Sequence, residues 1–205
     1  MDMSRPFNPS AEKNKLPILE ELSPMLASSS LILEIGSGTG QHAVYFCESL
    51  PQCVWQPSEI SSNLDVLRKG IGGSGLPNLR SPIILDVMDD NWHVDELDVV
   101  FSANTAHFMP WPSVFKMLSG AYRTLKKGGI FCLYGPFHYE KQLVSEGNRQ
   151  LDRWLGEHGQ GLGIRSFEAL VISALNQNLI LRHDIEMPAN NHLLVFQKTV
   201  AETTV

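Results

Sequence analysis

The chain is short of cysteine, of positive charge and of long apolar runs, and each shortage excludes something. Its 205 residues contain three cysteines, Cys47, Cys53 and Cys132. They are odd in number, lack the C-x-x-C spacing of zinc or redox sites and sit among apolar neighbours, so buried free thiols are expected rather than a disulfide framework. No stretch approaches the roughly 18 consecutive apolar residues that span a bilayer, and no membrane association is expected. With 16 basic against 22 acidic side chains and a formal net charge of -6, nothing draws the chain to a polyphosphate, so nucleic acid is not an expected partner. Met1-Asp2-Met3-Ser4-Arg5-Pro6 has neither the basic start nor the apolar run of a secretory signal, and a cytoplasmic location is expected. The histidines show no metal-ligand spacing, and no metal is assigned.

What is present suffices for one core. Hydrophobic residues make up 43% of the chain and charged residues 19%, which is not the composition of a disordered protein. A domain of roughly 150 to 250 residues buries about 70% of its unfolded surface, so a single domain over 1–205 is expected. Leu16, Leu19, Leu22 and Leu26 fall on one helical stripe, and Leu31-Ile32-Leu33 with Ile35 reads as a buried strand ending at Gly36. Ala43, Phe46, Cys47 and Leu50 return to helical spacing, Cys53-Val54-Trp55 supplies a second strand, and Leu64, Leu67 and Ile71 mark a helix closed by Gly72-Gly73-Ser74-Gly75. Ile83-Ile84-Leu85 and Leu97 to Ser102 follow as strands expected to be buried on both faces. Val114, Leu118, Ala121, Tyr122 and Leu125 form a helix, with Lys126 and Lys127 in its last turn and Gly128 as its C-cap. Ile130 to Tyr134 is a fifth strand. The polar, glycine-rich stretch 138–165 reads as an insertion with a helix around Leu151, Trp154 and Leu155, and is followed by a helix from Phe167 to Leu175. Leu179 to Met187 and His192 to Lys198 close the chain as strands.

Strands alternating with helices imply right-handed crossovers and a parallel sheet, whereas two strands joined by a few residues can pair only antiparallel. The expected fold class is α/β: one Rossmann-like domain with a mostly parallel seven-stranded sheet, an antiparallel C-terminal pair and helices on both faces. That layout resembles the class I S-adenosylmethionine-dependent methyltransferases. Leu33-Glu34-Ile35-Gly36-Ser37-Gly38-Thr39-Gly40 resembles their nucleotide loop, leaving a strand and entering a helix. Gly36, Gly38 and Gly40 let the backbone turn and approach a ligand. A dinucleotide fingerprint, G-x-G-x-x-G, would place the third glycine at position 41, which is Gln. Glu34 would also repel two phosphates, whereas it can face the amino or sulfonium side of S-adenosylmethionine. No Lys-Ser or Lys-Thr follows the glycines, which excludes a P-loop.

Glu59 closes the second strand at close to the ~20-residue separation expected of an acid that holds ribose hydroxyls. Asp86, followed by Val87, closes the third strand where the superfamily contacts the adenine amino group. Each acid alone reads more readily as a helix cap or a solvated loop residue; together, Glu34, Glu59 and Asp86 end three successive strands, where open α/β sheets collect ligands. After the fourth strand come Asn104 and His107, and after the fifth Tyr134. No Asn-Pro-Pro-Tyr or Pro-Cys sequence points to base methylation. His107, an imidazole that titrates near 6.5 when unperturbed, is the first candidate for a general base and Tyr134 the second. Either residue is also readable as a packed structural hydrogen bonder.

A closer resemblance covers almost the whole chain. Pro9-Ser10-Ala11-Glu12-Lys13-Asn14-Lys15, Gly38-Thr39-Gly40-Gln41-His42-Ala43, Trp55-Gln56-Pro57-Ser58, Tyr134-Gly135-Pro136 and Met187-Pro188-Ala189-Asn190-Asn191 are similar to the methyltransferase-like family catalogued as domain of unknown function 938. The resemblance implies that residues 1–28 form an N-terminal helical lid with Lys13 and Asn14 over the cofactor. It also implies that Asn104, His107 and Tyr134 line the cleft, with the 138–165 insertion near it. The expected activity is S-adenosylmethionine-dependent methyl transfer to an unidentified small-molecule acceptor. An NAD-type oxidoreductase and a noncatalytic S-adenosylmethionine-binding partner protein are the rivals.

Overall fold

The structure, a computed structural model, describes residues 5–26, 30–140 and 145–199. The chain forms two compact units, one ending at Asp86 and the other beginning at Val87.

The first unit opens with α1 (Pro9–Leu22), continued by a 3-10 turn over Ser23–Met25. Asn8 caps α1, its side chain accepting from the amides of Ser10 and Ala11 at 2.8 and 3.3 Å, and Pro9 occupies the first turn, where no amide partner is needed. The buried face is Ala11, Asn14, Ile18 and Leu22. This corrects the leucine stripe: Leu16 is 50% exposed, because the face that packs includes a polar residue, Asn14, that a count of apolar side chains passes over. The remaining elements are β1 (Leu31–Glu34), α2 (Gln41–Ser49), β2 (Val54–Glu59), α3 (Leu64–Ile71) and β3 (Ile83–Ile84), and the three strands pair in parallel in the order β3-β2-β1. Ile84 is 58% exposed, so β3 is a short edge strand rather than one buried on both faces.

Ile32, Leu33, Phe46, Trp55 and Leu67 are fully buried and form the core of this unit. A polar clasp holds its α2–β2 turn. The side-chain amide of Asn78 donates to the carbonyls of Cys47, Leu50 and Cys53 at 3.0 to 3.1 Å, and its own carbonyl accepts from the Trp55 amide at 2.9 Å. All three cysteines are free and buried, as expected, and burial pushes the Cys47 and Cys132 thiols up to about 12.

In the second unit, β4 (Leu97–Ala103), a 3-10 turn over Ala106–Phe108 and α4 (Trp111–Thr124) lead into β5 (Leu125–Gly135). Then come β6 (Phe137–His138), α5 (Glu146–His158), β7 (Arg165–Ser166), α6 (Phe167–Leu175), β8 (Leu179–Met187), a 3-10 turn over Pro188–Asn190 and β9 (Asn191–Lys198). The main strands run in the order β4-β5-β9-β8, β4 and β5 parallel and the β8–β9 hairpin antiparallel, and β6 pairs separately with β7. Lys126 and Lys127 belong to β5 and not to the end of α4. Leu125 is already extended, and Lys126 is drawn 3.0 Å from Asp98 on β4. Between the paired sets Leu97–Leu125 and Val99–Ile130 β5 carries three more residues than β4, an irregularity that contains Gly128, at φ 78.

Asn78→Ala removes the side-chain amide whose two hydrogens are shared among the carbonyls of Cys47, Leu50 and Cys53, of which Leu50 keeps its bond from the Cys53 amide. A loss of roughly 2 to 4 kcal/mol in unfolding free energy is expected by urea titration, with Asn78→Asp no better because a carboxylate cannot donate.

Candidate functional site

In the first unit, the segment between β1 and α2 is held against the end of β2. The Ser37 amide donates to the Ser58 carbonyl at 2.9 Å, the Ser58 amide donates to the Ser37 hydroxyl at 3.1 Å, and the Ser58 hydroxyl donates to the Glu34 carbonyl at 2.6 Å. The next residue, Glu59, then reaches the glycines. One carboxylate oxygen accepts from the Gly38 amide at 3.2 Å, and the other from the Ile60 amide at 2.8 Å. Gly36, Gly38 and Gly40 all have positive φ, at 70, 55 and 74.

Two of these glycines are needed for different reasons. A Cβ on Gly38 would meet nothing within 4 Å, whereas one on Gly40 would stand 2.4 Å from the Ile71 side chain. Gly40 lets α2 and α3 pack; Gly38 presents bare backbone to open space, the surface a ligand can approach.

Glu34 is 1% exposed. The Trp55 indole donates to it at 2.9 Å, and His42 Nδ1 lies 3.8 Å away. Burial pushes its carboxyl up to about 7, opposed by the bonds from Trp55 and Ser37 and helped by the charge of Glu59. The folded pKa therefore lies above the ordinary value of 4.5. The group's contribution to stability is whole below that value and is lost as pH rises through about 7. His42 shifts the other way, down to about 4, through burial and then the charge of Lys15. Its Nε2 lies 2.7 Å from Asn14 Oδ1.

Asn14 is thus turned inward to His42, while Lys13, its neighbour on α1, is exposed. Asp86 lies exposed, two residues past β3, directly after Leu85, whose amide donates to the Glu59 carbonyl at 2.9 Å. Of the expected cofactor residues in this unit, hydrogen bonds join Glu59 to Gly38, and Glu34 and Asn14 are linked through His42, a residue the sequence reading did not single out. Its sequence signals were its place in the Gly38–Ala43 block and its position four before Phe46 on the buried face of α2.

The second unit holds Val87, Asn104, His107 and Tyr134. Val87 and Tyr134 are buried, and Asn104, at φ 55, donates its amide to the Tyr134 carbonyl at 2.9 Å. His107 is buried, packs against Phe108 at 4.5 Å between ring centroids, and its Nδ1 lies 3.9 Å from where a Cβ on Gly135 would stand. Its imidazole does not titrate near the ordinary value: burial, then the charge of Arg165, lower it to about 4. Arg165 is itself held by the Gly163 and Gly161 carbonyls at 2.6 and 3.0 Å. A further cluster was missed. The Tyr139 hydroxyl lies 3.0 Å from both oxygens of Asp184 and 2.8 Å from His192 Nδ1, which is itself 2.7 Å from Asp184. Only the register of the β8–β9 hairpin brings Asp184 and His192 together, and no local spacing announces it. Among the described residues no group of three His, Cys, Asp or Glu is placed to hold a metal ion, and no helix is long and apolar enough to cross a membrane.

Solved structures share this architecture. An O-methyltransferase family protein from Burkholderia thailandensis is 14% identical with a TM-score of 0.75, the match covering 94% of this chain and 60% of that one. Human N-acetylserotonin methyltransferase, solved in complex with SAM, is 16% identical with a TM-score of 0.76, covering 93% of this chain and 53% of that one. PigF, solved with SAH, is 16% identical with a TM-score of 0.79, covering 92% and 56%. The chain therefore spans between half and two thirds of the length of these proteins. The likeness shows the fold, which is that of the class I methyltransferases: a mostly parallel seven-stranded α/β sheet with an antiparallel C-terminal pair. Residues 5–198 match the family model described as Protein of unknown function (DUF938), and the chain belongs to that family.

The two glycines separate fold from binding. Gly40→Ala is expected to destabilise the protein by roughly 1 to 3 kcal/mol through overpacking against Ile71. Gly38→Ala should cost about 1 kcal/mol of backbone strain, leave the protein folded and remove ligand binding at the loop. Thermal melts followed by titration of each variant with S-adenosylhomocysteine check both.

Proposed function

We propose that this protein is an S-adenosylmethionine-dependent methyltransferase acting on a small molecule. The observation that carries the reading is the bare backbone at Gly38, bonded to the Glu59 carboxylate and close in sequence to the buried carboxylate of Glu34. The residues fit such a cofactor. Glu59 would hold the ribose hydroxyls, Asp86 with Val87 the adenine, and Gly36, Gly38 and Gly40 the backbone cradle. Glu34 would face the cationic amino-acid end, with Lys13, Asn14 and Asn104 completing the set. A pyrophosphate would meet Glu34 as a like charge, and the third glycine stands at 40 where a dinucleotide fingerprint has it at 41, which disfavours the NAD-type reading. The fold's occurrence in proteins solved with SAM and SAH supports the same choice. Residues 1–28, which include α1, are proposed as a lid, and 138–165 as an acceptor-side insertion; residues 1–4, 27–28 and 141–144 of these segments lie outside the described residues. A cytoplasmic location belongs to the same reading.

When bound, S-adenosylmethionine supplies a methyl group already activated on a sulfonium. A neutral amine or thiolate then needs only orientation, whereas a hydroxyl acceptor must lose its proton. His107 is the proposed acceptor of that proton. With its imidazole lowered to about 4, it is unprotonated throughout the neutral range, and activity should fall only as pH drops through about 4. Tyr134 is the alternative orienting group.

Calorimetric titration with S-adenosylmethionine, S-adenosylhomocysteine and NADH tests the cofactor. Both sulfur ligands should bind and NADH should not, and Glu59→Ala should weaken binding by roughly 1.5 to 3 kcal/mol, the range of hydrogen bonds to charged groups. Binding of NADH alone would sink the reading. Methyl transfer to cell-extract metabolites, followed with radiolabelled cofactor, separates an enzyme from a noncatalytic binder. On a hydroxyl acceptor, His107→Ala should slow turnover by roughly 100-fold, at the low end for general bases, with S-adenosylmethionine affinity nearly intact. A larger loss in Tyr134→Phe than in His107→Ala would move the role to Tyr134.

A further inference from the structure

Arg165, in the second unit, is a buried charge without a counter-charge. It is 8% exposed and lies on β7, paired with Phe137 of β6. Its Nε donates to the Gly163 carbonyl at 2.6 Å and its Nη2 to the Gly161 carbonyl at 3.0 Å. A guanidinium has five N–H donors; five less these two leaves three, both on Nη1 and one on Nη2, with no partner among the described residues. Carbonyls satisfy hydrogen bonds but do not cancel charge. The acid whose charge Arg165 feels, Asp152, is turned to the Ile164 amide at 2.7 Å and makes no ion pair with it. Burial lowers the Arg165 pKa, yet a guanidinium keeps its proton in a protein, so the charge stays. A cation taken out of water calls for an anion beside it.

Two observations place that anion. The free end of the guanidinium is open. Among the described residues the buried side-chain atoms that lack both a partner and solvent are Trp92 Nε1 and His138 Nδ1; Arg165 Nη1 lacks only the partner, and therefore reaches the accessible surface. The turn that holds Arg165 also holds His107. The Gly163 amide donates to the His107 carbonyl at 3.1 Å, and the Gly163 carbonyl accepts from Arg165. The His107 imidazole feels the Arg165 charge, which lowers it after burial does. The open donors thus lie in the neighbourhood of the proposed base.

The chemistry of the donors selects the anion. One uncompensated cation matches one negative charge, whereas a phosphate monoester brings nearly two. Nη1 and Nη2 share a plane and are spaced to meet the two oxygens of a carboxylate.

We propose that Arg165 anchors the acceptor, and that the acceptor is a small hydroxycarboxylic acid whose carboxylate meets Nη1 and Nη2 while its hydroxyl faces His107. This rests on the methyltransferase reading above and adds the substrate class to it. A bound carboxylate also offsets the Arg165 charge at His107, so the imidazole becomes a stronger base when the acceptor arrives.

The ortho, meta and para hydroxybenzoates and the matching hydroxybenzamides serve as probes, since they share ring and hydroxyl and differ in charge. Each is titrated into isotope-labelled wild-type protein, with and without S-adenosylhomocysteine, and followed by NMR at the Arg165 Nε–H and the Gly163 and Ile164 amides. At least one hydroxybenzoate should shift these resonances to saturation, and its amide should bind about tenfold or more weakly. R165Q, whose side-chain amide still donates to a turn carbonyl, should fold and lose the preference for the acid. Amides that bind as tightly as the acids overturn the proposal, as do resonances that no hydroxybenzoate moves, or an unchanged preference in R165Q. The wild-type comparison requires no variant to fold. Radiolabelled S-adenosylmethionine with cell extract then separates the two readings. Labelled product retained by an anion exchanger supports the proposal. Labelled product that is not retained overturns it and leaves the methyltransferase reading intact. Hydroxybenzoate binding at Arg165 in a protein that transfers no label supports the carboxylate site and overturns the methyltransferase reading.

Discussion

The hydrogen bonds between Ser37 and Ser58 are the constraint on which the candidate site depends. Ser58 is completely buried; its carbonyl and amide bond Ser37 in the loop, and its hydroxyl bonds the end of β1 at Glu34. Buried backbone groups must be paired, so a loop that detached from β2 would leave several of them without partners. The loop is therefore fixed at the height of the strand end, and Glu59, one residue on, arrives at Gly38 without a long side-chain search. Rigidity of this kind matters for a ligand site because little ordering entropy is left to be lost when a ligand arrives.

Much of the fold was legible because it depends on contrasts that survive in one dimension. Continuous apolar runs such as Leu31-Ile32-Leu33 gave buried strands, and helical spacing gave α2, α3 and α6. The misreadings have one cause: each depends on a partner far away in the chain. The buried face of α1 includes Asn14 because His42 waits for it. Lys126 leaves α4 because Asp98 holds it. Ile84 is exposed on the short edge strand β3, where the two-residue pairing with β2 is set by Ser58 and Glu59 far back in the chain.

The candidate site divides the same way. Glu34, Gly38 and Glu59 could be proposed from sequence because a backbone approach to a ligand requires glycine and strand ends supply acids at regular separations, whereas the packing role of Gly40 against Ile71 could not. What spacing did not carry was the state of these groups. That Glu34 titrates near 7 and His107 near 4 follows from burial and neighbouring charges, and neither is a property of a motif. The Tyr139–Asp184–His192 cluster was invisible for a third reason: it requires a hairpin register and a separate loop to meet.

The pairing of β6 with β7 carries a consequence for how this fold diversifies. Phe137 and His138 are joined to Arg165 and Ser166 as parallel partners, so the chain between them, which includes α5, is an excursion whose two ends are pinned side by side. The entropic cost of closing such a loop rises only logarithmically with its length, by about 0.6 kcal/mol for each doubling. Insertions and deletions inside it are therefore cheap in stability, and they leave the Ser37–Ser58 bonds untouched. Selection can lengthen, shorten or re-sculpt this excursion while the glycine loop stays unaltered.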